Sequence, residues 1–148
     1  MKKLIFTAIL TTFVSIAFSQ DITLKIGTEA TYRIAKTPDK KFTLTLVDTQ
    51  AIDQPVSSGM DLFKGKVDSN LMKIAFVKGK FGDRPAILLV IKTGQPGMIK
   101  YSAKIKYAGR SKFVSTDVNP IIGNVNTTEM WQNELSEIVL SDFEEGHF

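Results

Sequence analysis

The chain has 148 residues, a formal net charge of +4 and no cysteine. The lack of cysteine excludes disulfides, thiol nucleophiles and thiolate metal sites. The single histidine, His147, stands next to the last residue, where chains are usually loose, so the usual Ser-His and zinc-His sites cannot be assembled. No motif indicates a cofactor, and no metal is expected.

Residues 1–19 have the features of a signal peptide. Lys2-Lys3 is followed by an apolar stretch from Leu4 to Ile16 and by Ala17-Phe18-Ser19, which approximates a small-x-small cleavage signature. The apolar stretch is shorter than the roughly 20 residues of a membrane-spanning helix, so we do not expect an integral membrane protein. Cleavage after Ser19 leaves a single domain over residues 20–148, and we expect it in the periplasm or outside the cell.

The first part of the predicted domain alternates between apolar and polar residues. This alternation predicts three amphipathic strands before residue 50, with inward side chains at Ile22, Leu24, Ile26, Tyr32, Ile34, Phe42, Leu44 and Leu46. The alternation stops between Thr49 and Gly59, where polar residues, proline and glycine predict a loop. A loop of this length either carries function or is merely mobile.

The most ordered pattern lies between Pro85 and Tyr107. Ala86 to Ile91 are all apolar, as in a strand that is covered on both faces. Pro96-Gly97 suits a type II turn, and Met98 to Tyr107 then alternate strictly. We therefore predict a central antiparallel hairpin, with a shared core made of Leu88, Val90, Ile99, Tyr101 and Ile105.

The rest of the chain adds short elements. Met72 to Phe76 alternate as a strand, and Ile138 to Leu140 predict a closing strand that ends near Phe143. Asn126 with Glu129 three residues later predicts one short helical turn near Asn126-Asn133. With eight to nine short strands, the sequence predicts an all-β protein, an antiparallel two-sheet β-sandwich. The immunoglobulin Cys–Trp–Cys pattern is absent.

Charge is distributed unevenly along the chain. Residues 21–112 hold 17 basic and 8 acidic residues, whereas residues 113–148 hold 7 acidic residues and no basic one. Either the basic part forms a surface for an anionic partner, or the acidic C-terminal part packs beside the lysine-rich strands and compensates them. We favour the second interpretation, because both parts belong to one small domain.

Two features are candidate binding sites. Lys100, Lys104 and Lys106 share one strand face, which could contact an anionic glycan or a lipid head group, or could simply keep the surface soluble. Nucleic acid is disfavoured by the predicted export and by the lack of interleaved aromatic residues. Trp131, the only tryptophan, could stack on a sugar or anchor a partner, or could plug the end of the core.

Carboxylates are the remaining candidates for catalysis. Asp48 and Asp53 flank the predicted loop, and Asp142, Glu144 and Glu145 cluster near the C-terminus. A glycosidase needs two carboxyl groups about 5 to 9.5 Å apart across a cleft, and sequence spacing cannot show such a distance.

These observations favour an exported, non-enzymatic binding or structural module of the cell envelope or exterior. The first alternative is a glycan hydrolase that uses a carboxylate pair. The second alternative is an accessory subunit that docks an envelope protein by strand addition at an exposed sheet edge.

Overall fold

The alternating segments form ten strands within residues 20–148, the part of the chain that the computed structural model describes. The predicted signal peptide lies outside the described residues. The strands are β1 (Ile22–Lys25), β2 (Thr28–Lys36), β3 (Phe42–Ala51), β4 (Leu71–Phe81), β5 (Arg84–Thr93), β6 (Met98–Tyr107), β7 (Val114–Thr116), β8 (Ile121–Ile122), β9 (Thr127–Trp131) and β10 (Leu135–Gly146).

The strands form two antiparallel sheets, which confirms the predicted two-sheet sandwich. Sheet 1 has the order β1-β10-β6-β7, with β8 also paired to β6, and sheet 2 has the order β3-β2-β4-β5-β9. The ten strands exceed the predicted eight to nine, because β8 has only two residues and β9 occupies the segment predicted as a helical turn. Within the described residues, no helix is long and apolar enough to cross a membrane.

The main core lies between the two sheets. In β6, Ile99, Tyr101, Ala103 and Ile105 are buried while the alternate residues face outward, as the sequence pattern predicted. Ile138 and Leu140 of β10 join them from sheet 1, and the inward side chains of sheet 2 close the core from the other side. Full burial of each such side chain stabilises the fold by about 1.5–3 kcal/mol, which is why these strands pair in one register only.

A second, smaller core covers the outer face of sheet 2. Ala75, Val77, Ala86, Leu88 and Val90 are buried there beneath Ile52, Val56, Leu62 and Phe63 of the segment after β3. The continuous apolar run in β5 is therefore covered on both faces, as predicted. The prediction that Leu88 and Val90 share a core with Ile99, Tyr101 and Ile105 is wrong, because the two groups belong to different clusters.

The predicted hairpin between β5 and β6 is also wrong, because the two strands belong to different sheets. β5 pairs with β4 and β9, whereas β6 pairs with β10, β7 and β8. Gly97 does have the positive φ of +89° that the type II turn requires. The connection nevertheless bonds elsewhere: Asn124 N donates to Thr93 O at 2.8 Å, and Gly123 N donates to Gly97 O at 2.9 Å. The turn thus carries the chain from one sheet to the other.

The predicted helical turn near Asn126-Asn133 is wrong as well, since Thr127–Trp131 is strand β9. The side-chain amide of Asn126 donates to Leu62 O at 2.8 Å and Gly59 O at 3.3 Å, and so holds the covering segment instead of capping a helix. Glu129 accepts from Asn119 N at 2.5 Å. The helical turn of the described chain is the 3-10 turn Gly59–Asp61, where the Ser58 hydroxyl accepts from Met60 N.

Candidate functional site

A corner of the sandwich forms where β10, while still paired with β6, also bridges to the residue before β3. β10 pairs with β6 from Leu135 onward, and its register shifts between Ser141 and Glu144, where Asp142 has a positive φ of 55°. Beyond this bulge, Glu144 lies opposite Lys41, just before β3. Glu145 N donates to Lys40 O at 2.8 Å. Because a bulge bends its strand, the end of β10 lies beside both β6 and the residues before β3, and a concave corner forms there.

A cleft of about 600 Å³ opens at this corner. Its apolar lining comes from Phe42, Leu44, Tyr101 and Phe143, and its charged lining comes from Asp39, Lys41, Lys100, Asp142 and Glu144. A volume of this size lies within the range of roughly 300–1,000 Å³ that is typical of ligand sites, which are largely apolar with a few placed polar groups.

The aromatic part of the cleft is held rigidly by the main core. The rings of Tyr101 and Phe143 stack with centroids 5.8 Å apart and an angle of 10° between their planes. Burial raises the pKa of Tyr101, and the nearby Glu129 carboxylate raises it further. The Tyr101 hydroxyl is therefore a neutral phenol, and it is buried with no hydrogen-bond partner among residues 20–148.

The rim of the cleft carries ionised carboxylates. The Thr37 hydroxyl donates to Asp39 and lowers the pKa of that carboxyl group, and Lys41 lowers it further. Next to the rim, Glu145 has its pKa lowered by Lys36, whose Nζ lies 2.8 Å from Glu145 Oε2. Asp39 and Glu145 thus stay negatively charged at neutral pH.

The lysine row occupies the outer face of sheet 1, but its three members have different surroundings. Lys106 Nζ lies 2.6 Å from Glu137 Oε1 and 5.2 Å from the ring centroid of Phe113. Lys100 lines the cleft and lies directly opposite Glu144. Lys104 is exposed between Val139 and Ser115. The acidic strand β10 therefore lies beside the lysines of β6, with an ion pair to Lys106 and Glu144 opposite Lys100, as the interpretation favoured from sequence predicts.

Trp131 does not line the cleft; it ends edge strand β9 and is half-buried against the main core. It faces inward opposite Ile87, and its Nε1–H donates to Thr116 Oγ1 of β7 at 3.2 Å. This hydrogen bond joins the free edge of sheet 2 to that of sheet 1, which is the geometry of the predicted plug.

Two of the predicted carboxylates, Asp142 and Glu144, line the cleft, whereas Asp48, Asp53 and Glu145 do not. Asp39, Lys41 and Phe42 were missed as cleft residues. The sequence contains Thr37-Pro38-Asp39-Lys40, whose residue types are typical of a turn. It gave no signal that this turn would meet β10, because that contact joins residues about 100 positions apart.

The predicted Thr49–Gly59 loop has a structural role in the structure. Thr49 to Ala51 extend β3, and the following residues cover the second core. Within residues 20–148, no group of three or more acidic or histidine side chains is arranged to hold a metal ion.

Comparison of the chain with models of protein families, with curated proteins and with solved structures gives no significant match. The site is therefore interpreted from its own residues.

Proposed function

We propose that the protein is an exported, non-catalytic binding module of the cell envelope or exterior, and that the corner cleft is its ligand site. The observation that carries this proposal is the cleft itself, with its apolar floor at Phe42 and Leu44 and its charged rim. The rigid sheets on both sides hold the rim residues in place without a ligand, and a preorganised site loses less entropy on binding.

The lining favours a sugar-like ligand over a strongly anionic one. Three carboxylates and two lysines lie around the cleft, so a densely negative ligand would meet more repulsion than attraction. A hydroxyl-rich ring can instead place its C–H face on Phe42 and Leu44 and donate its hydroxyl protons to the carboxylates. Lys41 and Lys100 then remain as donors to ring or carbonyl oxygens.

Charge reversal at two positions of one strand tests the site. Lys100→Glu adds a negative charge to the cleft, whereas Lys104→Glu adds the same charge outside it on the same strand face. We expect saturation-transfer NMR with soluble envelope oligosaccharides to show binding to the wild type and to Lys104→Glu, and at least tenfold weaker binding to Lys100→Glu. Equal loss in both variants would indicate the whole lysine row as the binding surface, and binding unaffected by Lys100→Glu would refute the cleft.

A second candidate function, glycan hydrolysis, is favoured by the shared position of Asp39, Asp142 and Glu144 around one cleft. A hydrolase needs one carboxyl group that stays protonated as a general acid, and the pKa of Asp39 is lowered instead. A hydrolysis screen with envelope glycans separates the two candidates. Turnover that is lost in folded Asp142→Asn or Glu144→Gln protein would establish the hydrolase.

A further inference from the structure

β3 is one of the two edge strands of sheet 2, and most of its outer edge is uncovered within residues 20–148. β10 covers only its first residues, through the contact between Glu144 and Lys41. From Thr45 to Ala51 every residue is exposed, and Leu46 and Val47 are each 53% exposed. Leu46 lies opposite Tyr32 on the inner face, so it continues the apolar floor of the cleft along the edge.

The backbone groups that face outward follow from the pairing of β3 with β2. Thr37 N donates to Lys41 O at one end of the pair, and Ile52 N donates to Gly27 O at the other. Hydrogen-bonded and non-hydrogen-bonded pairs alternate along an antiparallel ladder. This alternation can be counted inward from both ends of the pair, with Val47 as the extra residue of the bulge. The count leaves four residues whose N–H and C=O groups are directed away from β2: Leu44, Leu46, Thr49 and Ala51.

The other strands that end a sheet are shorter or blocked. β1 has four residues and β7 has three, and β9 is tied to β7 through Trp131 and Thr116. Natural sheets protect long edges with lysine or proline, and β3 contains neither between Phe42 and Ala51. Its one protective device is the bulge at Val47.

Charge decides between a second copy of the chain and a different partner. If the β3 of a second copy added to this edge, one antiparallel register would both hydrogen-bond the outward backbone groups and keep the inner-face side chains on the same side. In this register Leu44 pairs with Ala51 of the copy, and Leu46 pairs with Thr49. Each Asp48 then lies opposite Val47 of the copy and diagonally beside the copy's Asp48 across the two-fold axis, so the two like charges come close and repel. Asp48 is the only charged residue of β3, so the edge matches a strand that carries a positive charge at this position.

We propose that Leu44–Ala51 is a docking edge for an extended basic segment of another protein. The segment adds antiparallel to β3, places apolar side chains beside Leu44 and Leu46, and places lysine or arginine opposite Asp48. This edge is a separate site from the ligand cleft of the proposed function, although Leu44 borders both.

Two blocked octapeptides of alternating residues, (Val-Lys)₄ and (Val-Glu)₄, test the edge without requiring a known register. We expect amide shifts of ¹⁵N-labelled protein to be confined to β3, and (Val-Lys)₄ to bind about three- to fivefold more tightly. Residues 20–148 carry a net charge of +2, because Lys2 and Lys3 are removed from +4, so non-specific attraction would favour (Val-Glu)₄ instead. Equal affinities, shifts elsewhere or no saturable binding would overturn the proposal.

Five variants complete the test. Asp48→Lys should reverse the peptide preference, whereas Asp53→Lys, just beyond the strand, should leave it unchanged. Thr49→Pro removes an outward N–H without breaking a bond to β2 and should abolish binding; if it does not fold, Leu46→Lys should weaken binding of (Val-Lys)₄. Lys100→Glu should not affect peptide binding, so failure at the edge and failure at the cleft are distinguishable. A dimer in sedimentation equilibrium that Asp48→Lys or Thr49→Pro disrupts would assign the edge to a second copy and overturn the proposed partner.

Discussion

The outer faces of the two sheets are built in opposite ways. Sheet 1 presents Lys100, Ser102 and Lys104 to water, and its charges are balanced by the neighbouring strand β10. Sheet 2 presents apolar side chains on its outer face, and the segment after β3 covers them. The difference shows that a sandwich of this size can bury a third layer, and that a segment without regular structure can serve as part of the core.

The largest effect on stability is expected from a substitution in the second core, on the covered outer face of sheet 2. Leu88 is 1% exposed and belongs to the second core. Leu88→Ala should lower the free energy of unfolding by about 2–5 kcal/mol, through lost burial and the cavity that remains. The matched change on the wet face, Lys104→Ala, should stay within about 0.5 kcal/mol. Urea denaturation of both variants measures the difference, and equal midpoints would show that the covering segment does not bury Leu88 in solution.

A smaller effect should come from releasing the cover without changing the apolar residues beneath it. Asn126→Ala leaves Gly59 O and Leu62 O without their amide donor. The cost should be about 1–3 kcal/mol, toward the lower end because the change also removes the buried and unpartnered Asn126 Oδ1. Hydrogen exchange and proteolysis should increase in residues 52–68 first, while exposed Asn70→Ala leaves them unchanged. A uniform increase over both sheets would contradict a local attachment.

The contrast between the faces also explains what the sequence could predict. Strict alternation in β6 indicates a strand with one buried face and one face exposed to solvent, and the structure confirms it. The uninterrupted apolar run of β5 correctly indicated cover on both faces. The source of that cover could not be predicted, because Ile52, Val56, Leu62 and Phe63 follow neither the strand nor the helix period.

The failed predictions share a cause, which is the choice of partner over long sequence distances. Pro96-Gly97 fits a turn equally well whether the strands beside it pair or separate into two sheets. Asn126 can cap a helix or bond carbonyls more than sixty residues away, and only the folded chain decides. The cleft depends on the bulge at Asp142, which no local motif indicates.

The smallest expected effect concerns charge at the corner, where the end of β10 lies beside the residues before β3. Lys36 lowers the pKa of Glu145, so the folded state binds this proton less readily than the unfolded chain. The stabilisation from this pair is therefore complete above the ordinary pKa of glutamate, about 4.3, and is lost as the pH falls through the lower folded value. Both side chains are substantially exposed, so salt should weaken the effect further. Lys36→Met should lower the free energy of unfolding slightly at pH 7 in low salt and leave it unchanged at acid pH, which flattens the acid limb of the curve of stability against pH. Lys104→Met is the control on the exposed outer face of sheet 1, and it should keep the acid limb. If both variants lost stability equally, the lowered pKa of Glu145 would reflect overall charge and not this pair.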